Sequence, residues 1–246
     1  MSLTLNHNTD LVDHRNLPNH IAIIMDGNAR YAQKKLLPLK FGHKKGVDNL
    51  KKIADCCIEF NIKFLTVYAF SSENWNRPKD EVSYLIDLLK NYLNKDSKEL
   101  IKRGIKILIS GNLAKLDHEL TKKIKEVEKL SENNNKLILN VAFSYGARQE
   151  IVDATKKIII AIKNQEITID DIDETQFQRF LYQPSIPDPD LLIRTAGDQR
   201  ISNFLLWQIA YTELYFCNKF WPEFSRQDLL KAIENYKQRE RRYGVR

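Results

Sequence analysis

Asp26, Gly27, Asn28 and Arg30 follow directly on the apolar run Ile21–Met25, and their types and order suit the binding of a charged ligand. A short continuous apolar run marks a strand covered on both faces in a parallel sheet, so Asp26 is expected at the carboxyl end of such a strand. Gly27 allows a tight turn. A helix opening after it would offer free N–H groups to an anion, with Arg30 adding a fixed positive charge. A carboxylate in an anion pocket repels the ligand unless a hard cation such as Mg²⁺ stands between Asp26 and phosphate oxygens. The turn therefore points to a magnesium diphosphate. The plainer reading is that Asp26 caps a helix and Arg30 is a solvated surface charge.

Two further polar clusters follow strand-like runs. After Phe64–Phe70 comes Ser71-Ser72-Glu73-Asn74-Trp75-Asn76-Arg77, with hydroxyls, an acid, amides, an aromatic and a cation ahead of Pro78, which opens the next helix. The structural alternative has Ser and Asn capping that helix while Trp75 staples it to the core. After Leu191–Arg194, Gly197 bends the chain so that Arg200 and Ser202 can return to Arg194; two guanidiniums and a hydroxyl suit a phosphate clamp. Glu213 follows an aromatic-rich stretch and is costly to bury unless paired, which makes it a candidate metal partner for Asp26. His43, between Gly42 and Lys44, fits either a phosphate contact or a structural role, and Lys44 and Lys45 raise the local positive potential.

Strand-like runs at Ile21–Met25, Phe64–Phe70, Ile105–Ile109, Leu137–Phe143, Leu191–Arg194 and Glu213–Phe216 alternate with helical stripes. Val47 to Ile58, Val82 to Leu93 and Leu120 to Leu130 form three such stripes, and Ser225 with Asp228 forms a capping box for a last helix. This alternation predicts a single α/β domain with a central, mostly parallel sheet of about six strands flanked by helices. Residues 1–19 read as a polar N-terminal segment and 20–246 as the domain. Open sheets of this kind bind ligands at the carboxyl ends of their strands, where all three clusters fall.

The 246 residues carry 39 Lys+Arg against 32 Asp+Glu, a formal charge of +7 that fits an anionic substrate, a nucleic acid or an acidic membrane surface. The basic residues are scattered along helices rather than interleaved with aromatics on one face, which argues against nucleic acid. Cys56, Cys57 and Cys217 lack metal-ligand spacing and suit reduced thiols. Phosphate-loop, dinucleotide, nucleophile-elbow and HExxH signatures are missing. No signal-like apolar core precedes Pro18 and no run approaches the ~18 residues of a membrane span, so a cytoplasmic location is expected.

Asp26-Gly-Asn28 with Arg30, Gly42-His43, Ser71 to Pro78, Asn140 to Gly146, Arg194-Thr195 with Arg200-Ile201-Ser202-Asn203, and Trp221-Pro222 together resemble the cis-prenyltransferases, over about His20 to Gly244. The resemblance implies sequential condensation of isopentenyl diphosphate onto an allylic diphosphate such as farnesyl diphosphate. The product would be a long-chain polyprenyl diphosphate such as undecaprenyl diphosphate, a lipid-carrier precursor for cell-wall synthesis. By position, Asp26 is the catalytic and metal-associated acid, Gly27, Asn28, Ala29, Arg30, Tyr31 and His43 belong to the allylic diphosphate site, and Arg194, Arg200, Ile201 and Ser202 to the isopentenyl site. Ser71, Ser72, Glu73, Trp75 and Arg77 line the substrate region, and Glu213 matches the second magnesium-associated carboxylate. Asn74 stands where the family's proton acceptor is assigned; a neutral amide is a weak base, so its chemistry favours orienting the substrate while a diphosphate oxygen takes the proton. An apolar tunnel between sheet and helices, Mg²⁺ as cofactor, a homodimer in which Arg242 to Gly244 reach the neighbouring subunit, and peripheral contact with the inner membrane face complete what the resemblance implies. Ala29, Tyr31 and Leu39 stand where the family has glycine, tryptophan and arginine, and bulky Phe143 where small residues are common in long-chain members. A trans-prenyltransferase is disfavoured because the acid cluster Asp170 to Asp173 lacks DDxxD spacing.

Overall fold

A computed structural model describes residues 17–239. The polar segment up to residue 16 and the basic stretch containing Arg242 to Gly244 lie outside the described residues.

Six strands form one sheet: β1 (His20–Ile24), β2 (Phe64–Ser71), β3 (Ile105–Ser110), β4 (Leu137–Tyr145), β5 (Leu191–Arg194) and β6 (Glu213–Phe216). Their order is β3-β4-β2-β1-β5-β6, and every neighbouring pair is parallel. The expected parallel α/β sheet is present, with each strand within one or two residues of its apolar run. β1 explains why such runs are continuous: Ile21 and Ile23 join the core on one face, Ala22 and Ile24 the core on the other, and all five residues are buried.

Eight α-helices accompany the sheet among the described residues: α1 (Asn28–Lys34), α2 (Leu39–Glu59), α3 (Lys79–Asn91), α4 (Ser97–Lys102), α5 (His118–Leu130), α6 (Ala147–Lys163), α7 (Glu174–Gln178) and α8 (Arg226–Lys237). Leu50 and Ile53 of α2, Leu89 of α3, Ile124 of α5 and Ile233 of α8 pack on the larger core face. The helix after Ser225 starts with the expected reciprocal cap, Ser225 and Asp228 bonding across the first turn. Trp221 donates from Nε1 to the Gly46 carbonyl at 2.8 Å, and Asn49 returns a bond to the Trp221 carbonyl at 2.7 Å. The Trp221-Pro222 pair thus anchors α2 to the segment leading into α8.

The α2 helix begins at Leu39, ahead of the stripe that starts at Val47, and its first turns are built for close approach. A Cβ on Gly42 would sit 2.1 Å from the Asn28 carbonyl oxygen, and one on Gly46 would sit 2.4 Å from Asn28 Oδ1. Only bare backbone lets α2 press against the start of α1 here. Helix α6 was not among the anticipated stripes: its Ile158, Ile159 and Ile160 run blurs the helical period, and Ile159 and Ile160 are exposed.

Starting from β1, the chain lays β2 on one side and β5 on the other. That reversal opens a crevice beyond the carboxyl ends of β1 and β5, the place where open parallel sheets bind ligands.

Candidate active site

Asp26 leaves the end of β1 and is fixed by its backbone. Its carbonyl accepts from Thr195 Oγ1 at 2.7 Å and from the Trp221 N–H at 3.0 Å. Gly27 follows with φ of +99°, and a Cβ there would meet Ala196 Cβ at 2.8 Å, so the turn requires glycine on both counts. The α1 helix starts at the next residue. The first N–H to bond within it is that of Tyr31, to the Gly27 carbonyl at 2.8 Å, which leaves the N–H groups of Asn28, Ala29 and Arg30 outside the helical ladder.

The Asp26 carboxylate holds two guanidiniums. Arg30 Nη2 lies 3.0 Å from Oδ1 and Arg194 Nη2 lies 2.8 Å from Oδ2, while the Gly27 N–H donates to Oδ1 at 2.7 Å. Arg194 ends β5 and is buried; its Nη1 reaches Ser202 Oγ at 2.8 Å and the Arg200 carbonyl. Ser202 returns to Arg194 because the connection doubles back through left-handed backbone at Ala196, Gly197, Ser202 and Asn203. Such conformations in residues other than glycine persist only where surrounding contacts impose them, and they cluster at functional sites. Asp198 bridges Arg30 at 2.8 Å and Arg200 at 2.7 Å. The hydrogen bonds and carboxylates around Arg30 hold its pKa above the ordinary value despite partial burial.

These groups line a cavity of about 640 Å³. It is bounded by the turn Asp26 to Arg30, by His43, by Ser71, Glu73, Asn74 and Arg77 from the end of β2, and by Arg194, Arg200 and Ser202. The sequence clusters named for chemistry thus converge on one crevice. Four arginines and two carboxylates line it, and Asp198 and Glu81 pair with Arg30, Arg200 and Arg77, so carboxylates hold the guanidiniums that an anion would meet.

Asn74 sits in the 3-10 turn Ser72–Asn76, where its Oδ1 accepts from the Ser71 N–H at 3.0 Å. An oxygen already engaged by a backbone donor serves poorly as a base, whereas the amide nitrogen remains able to donate into the cavity. Glu73 accepts from Ser72 Oγ at 3.1 Å and from Asn203 Nδ2 at 2.8 Å. Burial opposes its ionisation, but those bonds prevail and hold its carboxyl below the usual range. Burial likewise lowers the His43 pKa, with Glu81 opposing the shift. Its Nε2 has no hydrogen-bond partner, Glu81 being 3.7 Å away, so a buried imidazole nitrogen beside the cavity is left open. Arg194 Nε and Asn28 Oδ1 are also buried without partners.

Five anticipated residues do not line this cavity. The Trp75 indole donates to Ser144 Oγ at 3.0 Å and meets the Phe70 ring edge-on, which is the stapling role. Ser72 supports Glu73, Tyr31 lies in the second turn of α1, and Ile201 only leads into Ser202. Glu213 opens β6 in register with Leu191, which is level with Ile21 at the start of β1. It therefore stands at the opposite end of the sheet, roughly 15 Å of strand away from Asp26 within the same chain. There it pairs with Arg239 at 2.6 Å. A parallel strand presents residues near its carboxyl end to that crevice, and Glu213 is the first residue of its strand.

Conversely, Asn203, Tyr68 and Met25 line the cavity without having been singled out. Asn203 ties its loop to two elements with three bonds: its carbonyl accepts the Ala147 N–H at 2.9 Å and its Oδ1 the Arg148 N–H at 2.9 Å, both at the start of α6, and its amide donates to Glu73 in the turn after β2. In the sequence it appeared only as the last residue of the motif Arg200-Ile201-Ser202-Asn203, without a role of its own.

Beyond Met25, Asn28, His43, Ala69 and Leu85, which border both spaces, a smaller apolar recess of about 90 Å³ lies between the sheet and helices α2 and α3. Phe143 lines it and stacks on Phe70, with ring centres 4.9 Å apart and planes 19° apart.

Comparison with known proteins adds family to this geometry. A family model described as putative undecaprenyl diphosphate synthase matches residues 24–244. An isoprenyl transferase of Fusobacterium nucleatum is 49% identical over 94% of this chain and 97% of its own length. A ditrans,polycis-undecaprenyl-diphosphate synthase of Legionella pneumophila, named as specific for (2E,6E)-farnesyl diphosphate, is 45% identical over 93% of this chain and 96% of its own. Among solved structures, lavandulyl diphosphate synthase from Lavandula x intermedia, in complex with dimethylallyl diphosphate, superposes with a TM-score of 0.89 at 39% identity, covering 93% of this chain and 98% of that one.

Proposed function

The chain belongs to the undecaprenyl diphosphate synthase family of prenyltransferases, and from that premise we propose that it extends an allylic diphosphate, farnesyl diphosphate by preference, through successive cis condensations with isopentenyl diphosphate. The observation that carries the proposal is the pairing of Asp26 with Arg30 and Arg194 across the ends of β1 and β5, which sets two anion-binding groups on either side of one carboxylate. The N–H groups opening α1, with Arg30, His43 and Arg77, receive the allylic diphosphate. Arg194, Arg200 and Ser202 receive the isopentenyl diphosphate. Asn74 donates from its amide to orient the substrate, and a diphosphate oxygen takes the proton released as the new double bond forms.

The donor set fits a magnesium ion held jointly with substrate. Among the described residues no group of three acidic, histidine or cysteine side chains forms a protein cage, and a lone carboxylate facing two diphosphate sites is how Mg²⁺ is usually held, with phosphates and water completing its shell. Asp26 would hold it, and bound there it would offset the negative charge that develops on the leaving diphosphate. The chain's own guanidiniums, held in place by Asp26, Asp198 and Glu81, bind and orient both substrates. Glu213 would join such a centre only from a second copy of the chain, which would accord with a homodimer.

The apolar tail of the allylic substrate enters the recess beyond Met25 and Ala69, since growing isoprene units must leave water. A second reading of product length arises from the Phe70–Phe143 stack, which narrows that recess and favours a shorter product than undecaprenyl diphosphate. The deciding experiment is incorporation of labelled isopentenyl diphosphate with farnesyl diphosphate and Mg²⁺, followed by chromatography of the products. Incorporation abolished by Asp26→Ala supports the enzyme. Salt-sensitive nucleic-acid binding without turnover would replace it with a basic binding protein. Longer products from Phe143→Ala than from the wild type support the stack as the length limit, and an identical distribution rejects it.

A further inference from the structure

The corner between α1 and α2 exposes apolar side chains in an unusual concentration. Leu36 is 94% exposed, Leu37 37%, Leu39 40% and Phe41 43%, with Pro38 between them. The backbone presents them firmly. The Leu37 N–H bonds to the Ala32 carbonyl at 2.9 Å and the Leu36 N–H to the Gln33 carbonyl at 3.0 Å, closing the end of α1, with Leu36 at φ of +54°. Glycine is the usual occupant of that left-handed position. Here a leucine holds it and its side chain packs on almost nothing.

The charge around this corner is of one sign. Lys34, Lys35, Lys40, Lys44 and Lys45 are all exposed, and no acid occurs between Gly27 and Val47. Lys34 lies over the Phe220 ring and Lys40 over the Tyr84 ring rather than against carboxylates. Glu81 on the adjacent α3 is held by Arg77 at 2.7 Å. An apolar tip ringed by cations, on a segment with no anions of its own, complements a surface that is apolar inside and anionic at its face.

We propose that the Lys34–Lys45 corner is a docking surface for an anionic lipid bilayer, with Leu36 and Leu37 entering the interface while the lysines meet lipid phosphates. The corner connects the two helices that carry Asn28, Arg30 and His43, so docking there brings the cavity wall to the membrane. The inference does not depend on the reaction assigned above, and its test contains no diphosphate substrate.

The test is co-sedimentation of the full chain with phosphatidylcholine vesicles, with and without phosphatidylglycerol. Binding is expected only to the anionic vesicles and should weaken in high salt. The Leu36→Ser/Leu37→Ser and Lys34→Gln/Lys35→Gln variants are each expected to bind about tenfold more weakly. Circular dichroism should remain that of the wild type, since Leu36 packs on almost nothing and Lys34 and Lys35 are exposed. Wild-type binding that is absent, indifferent to lipid charge or unchanged in both variants overturns the proposal. So does a wild type that self-associates without vesicles in a manner abolished by Leu36→Ser, which would make a second copy the occupant.

Discussion

Asn203 donates from Nδ2 to Glu73 Oε1 at 2.8 Å, joining the connection after β5 to the turn after β2 across the mouth of the cavity. The acceptor is ionised, which strengthens the bond, and solvent at both groups screens it to about 1 kcal/mol. Asn203→Ala is expected to reduce kcat/KM roughly tenfold by releasing both segments. Asn203→Asp, which sets a second carboxylate against Glu73, should reduce it further. Steady-state kinetics on the two variants checks the order, and equal effects would mean that repulsion at Glu73 is not felt.

Asp26→Asn keeps the shape of the side chain but removes the charge shared by Arg30 and Arg194. Loss of a fixed electrostatic group of this kind costs about 10²–10³ in kcat. Chelation of divalent cations from the wild type should lower activity to a comparable level, while the same treatment of the variant should change little further. Magnesium titrations of both proteins measure this. A variant still strongly stimulated by Mg²⁺ would remove Asp26 from the metal's surroundings.

Gly42 and Gly46 face the same residue and yet should respond differently to alanine. At Gly42 the new methyl group meets the Asn28 backbone oxygen, which cannot move without shifting the start of α1. At Gly46 it meets the end of the Asn28 side chain, which can rotate, although Trp221 lies 3.1 Å away. Gly42→Ala is therefore expected to cost about 1–3 kcal/mol, as overpacking does, and to lower activity sharply, with Gly46→Ala milder on both counts. Urea denaturation alongside kinetics provides the comparison.

His20 supplies the pH dependence of stability. Burial lowers its pKa from 6.5 to about 4, although the Pro187 carbonyl, which accepts from Nδ1 at 2.6 Å, acts in the other direction. The neutral ring also accepts from Thr66 Oγ1 at 2.8 Å. Between pH 6.5 and about 4 the unfolded chain takes up a proton that the folded one refuses, so stability falls as pH falls through that window. The total is about 3 kcal/mol, reached near pH 4 and constant below it. Unfolding free energies of the wild type and His20→Gln at several pH values should differ in slope across the window. Parallel curves would assign the loss to carboxylates instead.

Leu39 opens α2 close to His43 and the start of α1, and it is partly exposed. Leu39→Arg is expected to lower KM for the allylic diphosphate about tenfold, the lower end of what one added charge-assisted contact is worth, while leaving KM for isopentenyl diphosphate alone. An unchanged allylic KM would show that the added cation does not reach that site.

Legibility differed by length scale. Strand positions could be read because β1 and its neighbours are buried on both faces and leave uninterrupted apolar runs, and the clusters at their ends could be read because the ends of parallel strands face one crevice. Which residues turn into that crevice depended on more than proximity in sequence. Trp75 sits within the Ser71–Arg77 cluster but finds its partner in Ser144, a residue 69 positions away. Glu213 carries a suitable charge but opens its strand at the end away from Asp26 of the same chain, a placement set by register with Leu191. Asn203 acts through the left-handed backbone of its loop, a conformation asparagine adopts more readily than most residues, but its type does not say which elements that turn will join.

The placement of β1 between β2 and β5 bears on how the protein is made. Asp26 and Arg194 are 168 residues apart, so at about 5–20 residues per second Asp26 waits on the order of ten to thirty seconds during translation before Arg194 is synthesised. Throughout that interval the edge of β1 that will receive β5 stays unpaired, beside one of the most apolar strands in the molecule. An open edge of that kind invites pairing with another chain. Occupancy of that edge by a chaperone or by the ribosome surface would then keep it from pairing with another chain until β5 arrives.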